Sequence, residues 1–187
     1  KAEAAGALLC LSAGQPETQK VVADAGAIRP LVMLLNEQHD HARMKASGAI
    51  AALCAGSTEN QDKVEKLDGI AKLVGLLGPE LNDGVQAEAA SALAVLANSN
   101  KKNQDKVAVA GGIAPIIAML HSEGSTDKAK EEAAAAIWSI ATKHYENQVA
   151  VADSGGIAPL VAVLGLDSTR AQEQAAGALA ALAQDNT

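Results

Sequence analysis

Two adjacent glycines, Gly111 and Gly112, separate a polar helix-like segment, NQDKVAVA, from an apolar run that begins IAP. Paired glycines ahead of a helix can cradle a phosphate, because bare backbone N–H groups then face the ligand. They also serve as a plain joint between two helices. The cluster His39-Asp40-His41 raises a metal site, but no third ligand of matching spacing accompanies it, so a solvated capping loop is the reading. His121 and His144 each stand alone in the sequence. Glu131, Glu132 and Glu173 fall near the start of helical segments, where acidic groups favour the helix dipole, and form no acid–base pair. No Ser, Cys or Lys has a recognisable base partner. Cys10 and Cys54 make neither metal spacing nor a disulfide framework and read as buried small residues in a reducing compartment. The chain is therefore expected to be no enzyme and to hold no cofactor and no metal.

The glycine pair becomes legible once the elements around it are compared along the chain. A Gln is followed nine residues later by an Ile four times: Gln19–Ile28, Gln61–Ile70, Gln104–Ile113 and Gln148–Ile157. Seven residues after each Ile stands Leu35, Leu77, Leu120 or Leu164. A second motif, A-(A/S)-(G/S/A)-A-(L/I)-x-x-(L/I), places Leu8, Ile50, Leu93, Ile137 and Leu179, each followed three residues later by Leu or Ile. Successive Ile landmarks are 42, 43 and 44 residues apart, and every difference falls between the Leu and the second motif. Insertions tolerated in one place only mark a surface loop. Each unit reads as three helices. The first starts near the Asn-Gln pair, and the second near the Gly-Ile step with Pro30, Pro115 or Pro159 in its first turn. The third follows capping residues such as Asp167-Ser168-Thr169 and Ser125-Thr126-Asp127. The organisation expected is one orphan third helix (1–14) and four repeats (15–56, 57–99, 100–143 and 144–187). No unit can bury its apolar face alone, so neighbours must stack into a solenoid.

Composition agrees with close-packed helices. About half of the 187 residues are apolar, yet there is no Phe, one Trp and one Tyr, and roughly a fifth of the chain is alanine, well above ordinary usage. Alanine is the best helix former and a poor strand former. A net charge of −7 with intermixed signs argues against a nucleic-acid or anionic-membrane footprint. No apolar run approaches the ~20 residues that span a bilayer. The opening KAEAAGALLCL lacks an initiator Met and looks like the second half of a helix, so the chain is expected to be part of something longer, with apolar residues exposed at both ends unless the solenoid continues.

These residues resemble armadillo repeats. The resemblance rests on AGAIRPLVMLL (25–35), GGIAPLVAVL (155–164) and QEQAAGALAALA (172–183), with a period near 42 and four copies in phase over essentially the whole chain. It is closest in style to plant and protist multi-repeat armadillo proteins. HEAT repeats, the nearest rival, usually have two helices per unit and lack the Gly-Gly-Ile joint. The resemblance implies an all-α, right-handed superhelix whose third helices line a concave, partner-binding groove. In the importin-α type each third helix offers a Trp and, four residues on, an Asn. Here the Trp positions hold Gly6, Gly48, Ser91, Ala135 and Gly177, and the Asn positions Cys10, Ala52, Val95, Ser139 and Ala181. That ladder is absent, so importin-like cargo is not expected.

A helical wheel finds the same face without the family. With Leu179 toward the core, Leu182 and Ala175 lie within about 60° of it and Gly177 and Ala181 point nearly opposite. Gly costs about 0.5–1 kcal/mol in a helix interior relative to Ala, yet occupies three of five equivalent sites. Something must approach closely there, either a neighbouring helix or a partner. Trp138 flanks this face as a binding anchor or as filler between third helices. A small-residue groove favours a partner helix or broad surface over an extended strand, because it supplies few side-chain amides to a peptide backbone. The expected function is a protein-binding scaffold or adaptor. The alternatives are the substrate-recruiting region of a larger enzyme, such as a U-box ubiquitin ligase, and a structural component of a cytoskeletal or ciliary assembly. A cytoplasmic location is expected, with nucleus or cilium as alternatives.

Overall fold

The computed structural model describes residues 5–6, 15–122 and 124–184. Among them are twelve α-helices and no strand. They run α1 (Pro16–Asp24), α2 (Ile28–Leu34), α3 (Asp40–Cys54), α4 (Thr58–Lys66), α5 (Gly69–Gly75), α6 (Asp83–Ala97), α7 (Lys101–Val109), α8 (Ile113–His121), α9 (Asp127–Ala141), α10 (Tyr145–Asp153), α11 (Ile157–Val163) and α12 (Thr169–Ala183). The lengths recur in threes, with α3, α6, α9 and α12 each 15 residues long. These long helices pack side by side in chain order, α3 on α6, α6 on α9 and α9 on α12.

Capping fixes where each helix begins. Asn82, Thr126 and Ser168 accept the N–H of Val85, Ala129 and Ala171 at the starts of α6, α9 and α12. The helices α4, α7 and α10 start two residues before the Asn-Gln pair, not at it. Ser57, Asn100 and His144 cap them by accepting the N–H of Asn60, Asn103 and Asn147, so the pair lies one turn inside.

The paired glycines are a joint with two separate requirements. Its first position is left-handed in all four units, with φ of 87° at Gly26, 62° at Asp68, 77° at Gly111 and 78° at Gly155. Its second position is crowded: a Cβ on Gly112 would stand 2.8 Å from Val107 Cγ1 and 3.1 Å from the Val107 carbonyl. The Gly112 N–H bonds that carbonyl at 2.9 Å, closing α7 before α8 departs. A second left-handed position recurs after α3, α6 and α9, at Gly56 (71°), Ser99 (56°) and Lys143 (55°). A non-glycine residue there costs about 1–2 kcal/mol. Ser99→Gly and Lys143→Gly should therefore each raise stability by about 0.5–1 kcal/mol, read as a higher urea midpoint with an unchanged slope. A lower midpoint for both would show that the turn is not strained.

The core explains the alanine surplus. Leu31, Ile50, Leu53, Leu73, Leu93, Leu96, Ile116, Ile137, Ile140 and Leu160 are fully buried, while Ala46, Ala49, Ala90, Ala134 and Ala136 fill the seams between third helices. Small side chains let parallel helices approach closely. Ser47 lies in such a seam, fully buried, and its hydroxyl has no partner. The same register position holds Ala90, Ala134 and Ala176. A buried unpaired hydroxyl costs about 1–3 kcal/mol. Ser47→Ala is thus expected to stabilise the protein by about 1 kcal/mol, and a loss in thermal unfolding would reveal a hydrogen bond to Ser47.

A candidate protein-binding groove on the third helices

The Asn-Gln pair inside each first helix sets how neighbouring third helices sit. Asn60, Asn103 and Asn147 reach back to the last turn of the preceding third helix, donating to the carbonyls of Leu53 (2.7 Å), Leu96 (2.9 Å) and Ile140 (3.1 Å). Gln19, Gln61 and Gln104 reach forward to the third helix of their own unit, donating to Ala52 (2.8 Å), Val95 (2.9 Å) and Ser139 (2.8 Å). Buried amides thereby satisfy carbonyls that an α-helix leaves unpaired in its last turn. Gln148 departs from the pattern and donates to Ala141 of the preceding helix at 3.1 Å. His144 does not stand alone: it is buried, its Nε2 lies 2.7 Å from Asp105 Oδ1, and it ties α10 to α7.

Three of the proposed groove residues, Ala52, Val95 and Ser139, are therefore held by their backbone carbonyls, and their side chains are half-buried. Ser91 and Ala135 are half-buried as well. Gly48 and Ala181 are buried and contribute no surface. The wheel put Ala181 away from the core, but a third helix is covered by its own unit and by neighbouring third helices, so its buried arc is wide. Leu179, by contrast, is only half-buried. Half-buried Gly6 sits against the Lys45 side chain, where a Cβ would make ordinary contact at 3.7 Å. Cys10 lies outside the described residues. Cys54 is buried, and that burial pushes its thiol up to about 12, leaving it inert at neutral pH.

Gly177 and Trp138 belong together. A Cβ on Gly177 would stand 2.5 Å from Cδ2 and Cε3 of the Trp138 indole, so the ring lies directly over this glycine of the next third helix. The indole nevertheless remains 40% exposed. It borders a shallow cavity of about 320 Å³ shared with Asn98, Ala135, Ser139, Thr142 and Gln174. The sequence reading missed Asn98, Thr142 and Gln174. Asn98 and Thr142 are the C-caps of α6 and α9, and Gln174 lies one turn before Gly177, so the repeat register could have located all three. Thr142 Oγ1 donates to the Trp138 carbonyl at 2.6 Å, which fixes that edge of the cavity.

Charges near this face are paired between neighbouring third helices. Lys128 Nζ lies 2.7 Å from Glu88 and Arg170 Nε 2.8 Å from Glu131. Glu132 is buried, and that burial pushes its carboxyl above the usual range despite a hydrogen bond from Ser91. His39 and Asp40 begin α3, where Asp40 pairs with Arg43 at 3.2 Å and accepts from Asn82. Among the described residues no cluster of three or more His, Cys, Asp or Glu side chains is placed to hold a metal ion, and no helix is long and apolar enough to cross a membrane.

This geometry has close counterparts. The family model of the armadillo/β-catenin-like repeat matches residues 144–183. A designed armadillo repeat protein superposes with a TM-score of 0.87 at 28% identity, over 96% of this chain and 74% of its own. An engineered protein from the Northeast Structural Genomics Consortium superposes at 0.89 with 34% identity, over 96% of this chain and 73% of its own. The chain belongs to the armadillo repeat family. Another designed armadillo protein, solved in complex with the peptide (KR)4, superposes at 0.83 with 28% identity, over 96% of this chain and 74% of its own. A comparison with curated proteins found no match. The armadillo fold is typically a non-enzymatic binding scaffold, and the present armadillo chain has its hallmark stack of third helices.

Proposed function

We propose that this armadillo protein is an interaction scaffold that docks a partner helix or broad partner surface along its third helices, with Trp138 as the apolar anchor. The observation that carries the reading is the indole itself. It is 40% exposed, yet held over Gly177 and beside a 320 Å³ cavity, where the equivalent residues are Leu9, Ala51, Ala94 and Ala180 and none is aromatic. Aromatic anchors that are already ordered lose little entropy on binding and dominate interface energetics. The remaining face is built of Ser91, Val95, Ala135 and Ser139, small enough for a helix to lie close. Its ion pairs are internally matched, which favours an apolar contact over a strongly basic or acidic ligand.

Affinity capture with the intact protein tests this against Trp138→Ala and Ser139→Arg. Each variant is expected to weaken the captured partner at least about tenfold, or 1.4 kcal/mol, with helical circular dichroism preserved. Partners retained equally by both variants would place binding elsewhere on the solenoid. Gly48 is unsuited to this test, since its buried position would convert any large side chain into a folding defect.

A further inference from the structure

The caps of α4, α7 and α10 share a place in the repeat but not a chemistry. Ser57 and Asn100 carry no group that titrates near neutrality, whereas His144 in the same register carries an imidazole. Asn100 shows what the position does. Its Oδ1 accepts the Asn103 N–H, and its Nδ2 donates at 3.3 Å to Asp62 of the preceding first helix. His144 makes both bonds with its ring. Nδ1 accepts the Asn147 N–H at 3.4 Å, and Nε2 donates at 2.7 Å to Asp105, the register counterpart of Asp62. One ring nitrogen must hold a proton and the other must lack one, so the two bonds together require the neutral ring.

A second acceptor faces the nitrogen that lacks the proton: Glu146 Oε2 lies 3.3 Å from Nδ1. Protonation turns Nδ1 into a donor, which gives up the Asn147 N–H and takes Glu146 in its place, while Nε2 keeps Asp105. Among the described residues, Asp105 and Glu146 are the charged partners of the ring. Helix α10 packs on α7, α8, α9 and α12. On α7, Lys102 and Lys106 pair with Glu65, and Lys101 is exposed. Exposed His121 is the one titratable residue of α8, while α9 from Ala133 and α12 from Gln174 carry no charge. Lys143, next to His144 in the chain, is exposed.

The cap is linked to the groove by hydrogen bonds. Asn147 is buried, and its Nδ2 donates to the carbonyls of Ile140 at 3.1 Å and Gln104 at 3.3 Å. The Gln104 amide donates in turn to the carbonyls of Ser139 at 2.8 Å and Thr142 at 3.1 Å. Ser139 and Thr142 line the cavity beside Trp138. We infer that His144 is a pH-operated joint beneath Trp138. The neutral ring caps α10 and steadies the cavity wall; the protonated ring trades that cap for Glu146 and loosens the first turn of α10. The proton shifts the balance between two arrangements because it binds one of them better. Any effect on docking rests on the Trp138 reading above, whereas the joint itself is read without a partner.

Trp138 is the single Trp of the chain, so its fluorescence reports the cavity, and the Asn147 amide resonance reports the cap. Both are expected to change together as the pH of the full chain is lowered from about 8 to about 5, with the Trp138 emission moving to the red. His144→Asn copies Asn100, keeps both hydrogen bonds and takes up no proton in this range. It should lose both changes, although His39, His41, His121 and the carboxylates remain. Glu146→Gln alters an exposed side chain that the neutral joint does not use. It should move the transition to lower pH, because the protonated ring then faces no charge at Nδ1. A flat response in the native protein, a response retained in His144→Asn, or a transition in Glu146→Gln at unchanged or higher pH would each overturn the inference. Capture of a partner that ignores Trp138→Ala would instead overturn the docking reading and leave these spectra as they are.

Discussion

Asn103→Leu is expected to destabilise the protein by about 2 kcal/mol and to loosen α7 first. The Asn103 side chain is fully buried, and its amide supplies the Leu96 carbonyl with a hydrogen bond at 2.9 Å. Leu96 lies in the last turn of α6, where a carbonyl has no intrahelical donor. Leucine has the same branched four-atom skeleton but donates nothing, so a buried acceptor is stranded at a cost of about 1–3 kcal/mol. Contacts in a stack of repeats are made between neighbours, so the damage should stay local at first. Amide hydrogen exchange in α7 and the end of α6 should accelerate while α2 and α3 keep their protection. Uniform acceleration along the whole chain would mean that the units unfold as one, and an unchanged urea midpoint would mean that water replaces the amide without cost.

The second large effect is a change of sign. In the native background Gly177→Leu should destabilise by about 1–3 kcal/mol, because its Cβ would meet the Trp138 ring at 2.5 Å and force the indole off its seat. With Trp138→Ala in place, the same substitution should stabilise by a few tenths to about 1 kcal/mol, since leucine is the better helix former and the obstructing ring is gone. The two positions are then coupled by well over 1 kcal/mol, as expected for side chains sharing one volume. A double-mutant cycle by urea unfolding measures this coupling, and additive effects would show that ring and glycine do not share space. The same experiment bears on binding. Gly177→Leu displaces the anchor without removing it, so partner affinity should fall together with native-background stability.

The repeat, its phase and its joints were legible in the sequence because they depend on local chemistry. A left-handed backbone position, a crowded second glycine, a capping Ser or Thr and a period-3.6 apolar stripe each leave a residue signature that recurs when the unit recurs. A phosphate loop would occur once, whereas this joint recurs ahead of Ile at a fixed distance from a Gln and accepts Asp68, which marks a hinge; φ near 80° at Gly111 and Gly155 gives the physical reason. The Gln landmark was legible as a position but not as a role. Its amide donates to a carbonyl some 33 to 35 residues along the chain, a pairing no local pattern encodes.

Which small residues form surface was likewise decided by tertiary structure. On the third helices α3 and α12, Gly48, Ala52 and Ala181 look alike by wheel and by composition, yet Gly48 and Ala181 are buried and Ala52 is half-buried. The difference comes from how closely the neighbouring third helix approaches, which depends on the side chains of both. Gly177 is the sharpest case. Its sequence stated only that something comes near; the fold shows that the visitor is Trp138, from 39 residues earlier in the chain. Periodicity and backbone chemistry, written residue by residue, sufficed for the architecture of this armadillo protein. The groove is a property of pairs of helices brought together by packing, and only their assembled spacing separates a filled seam from an open site.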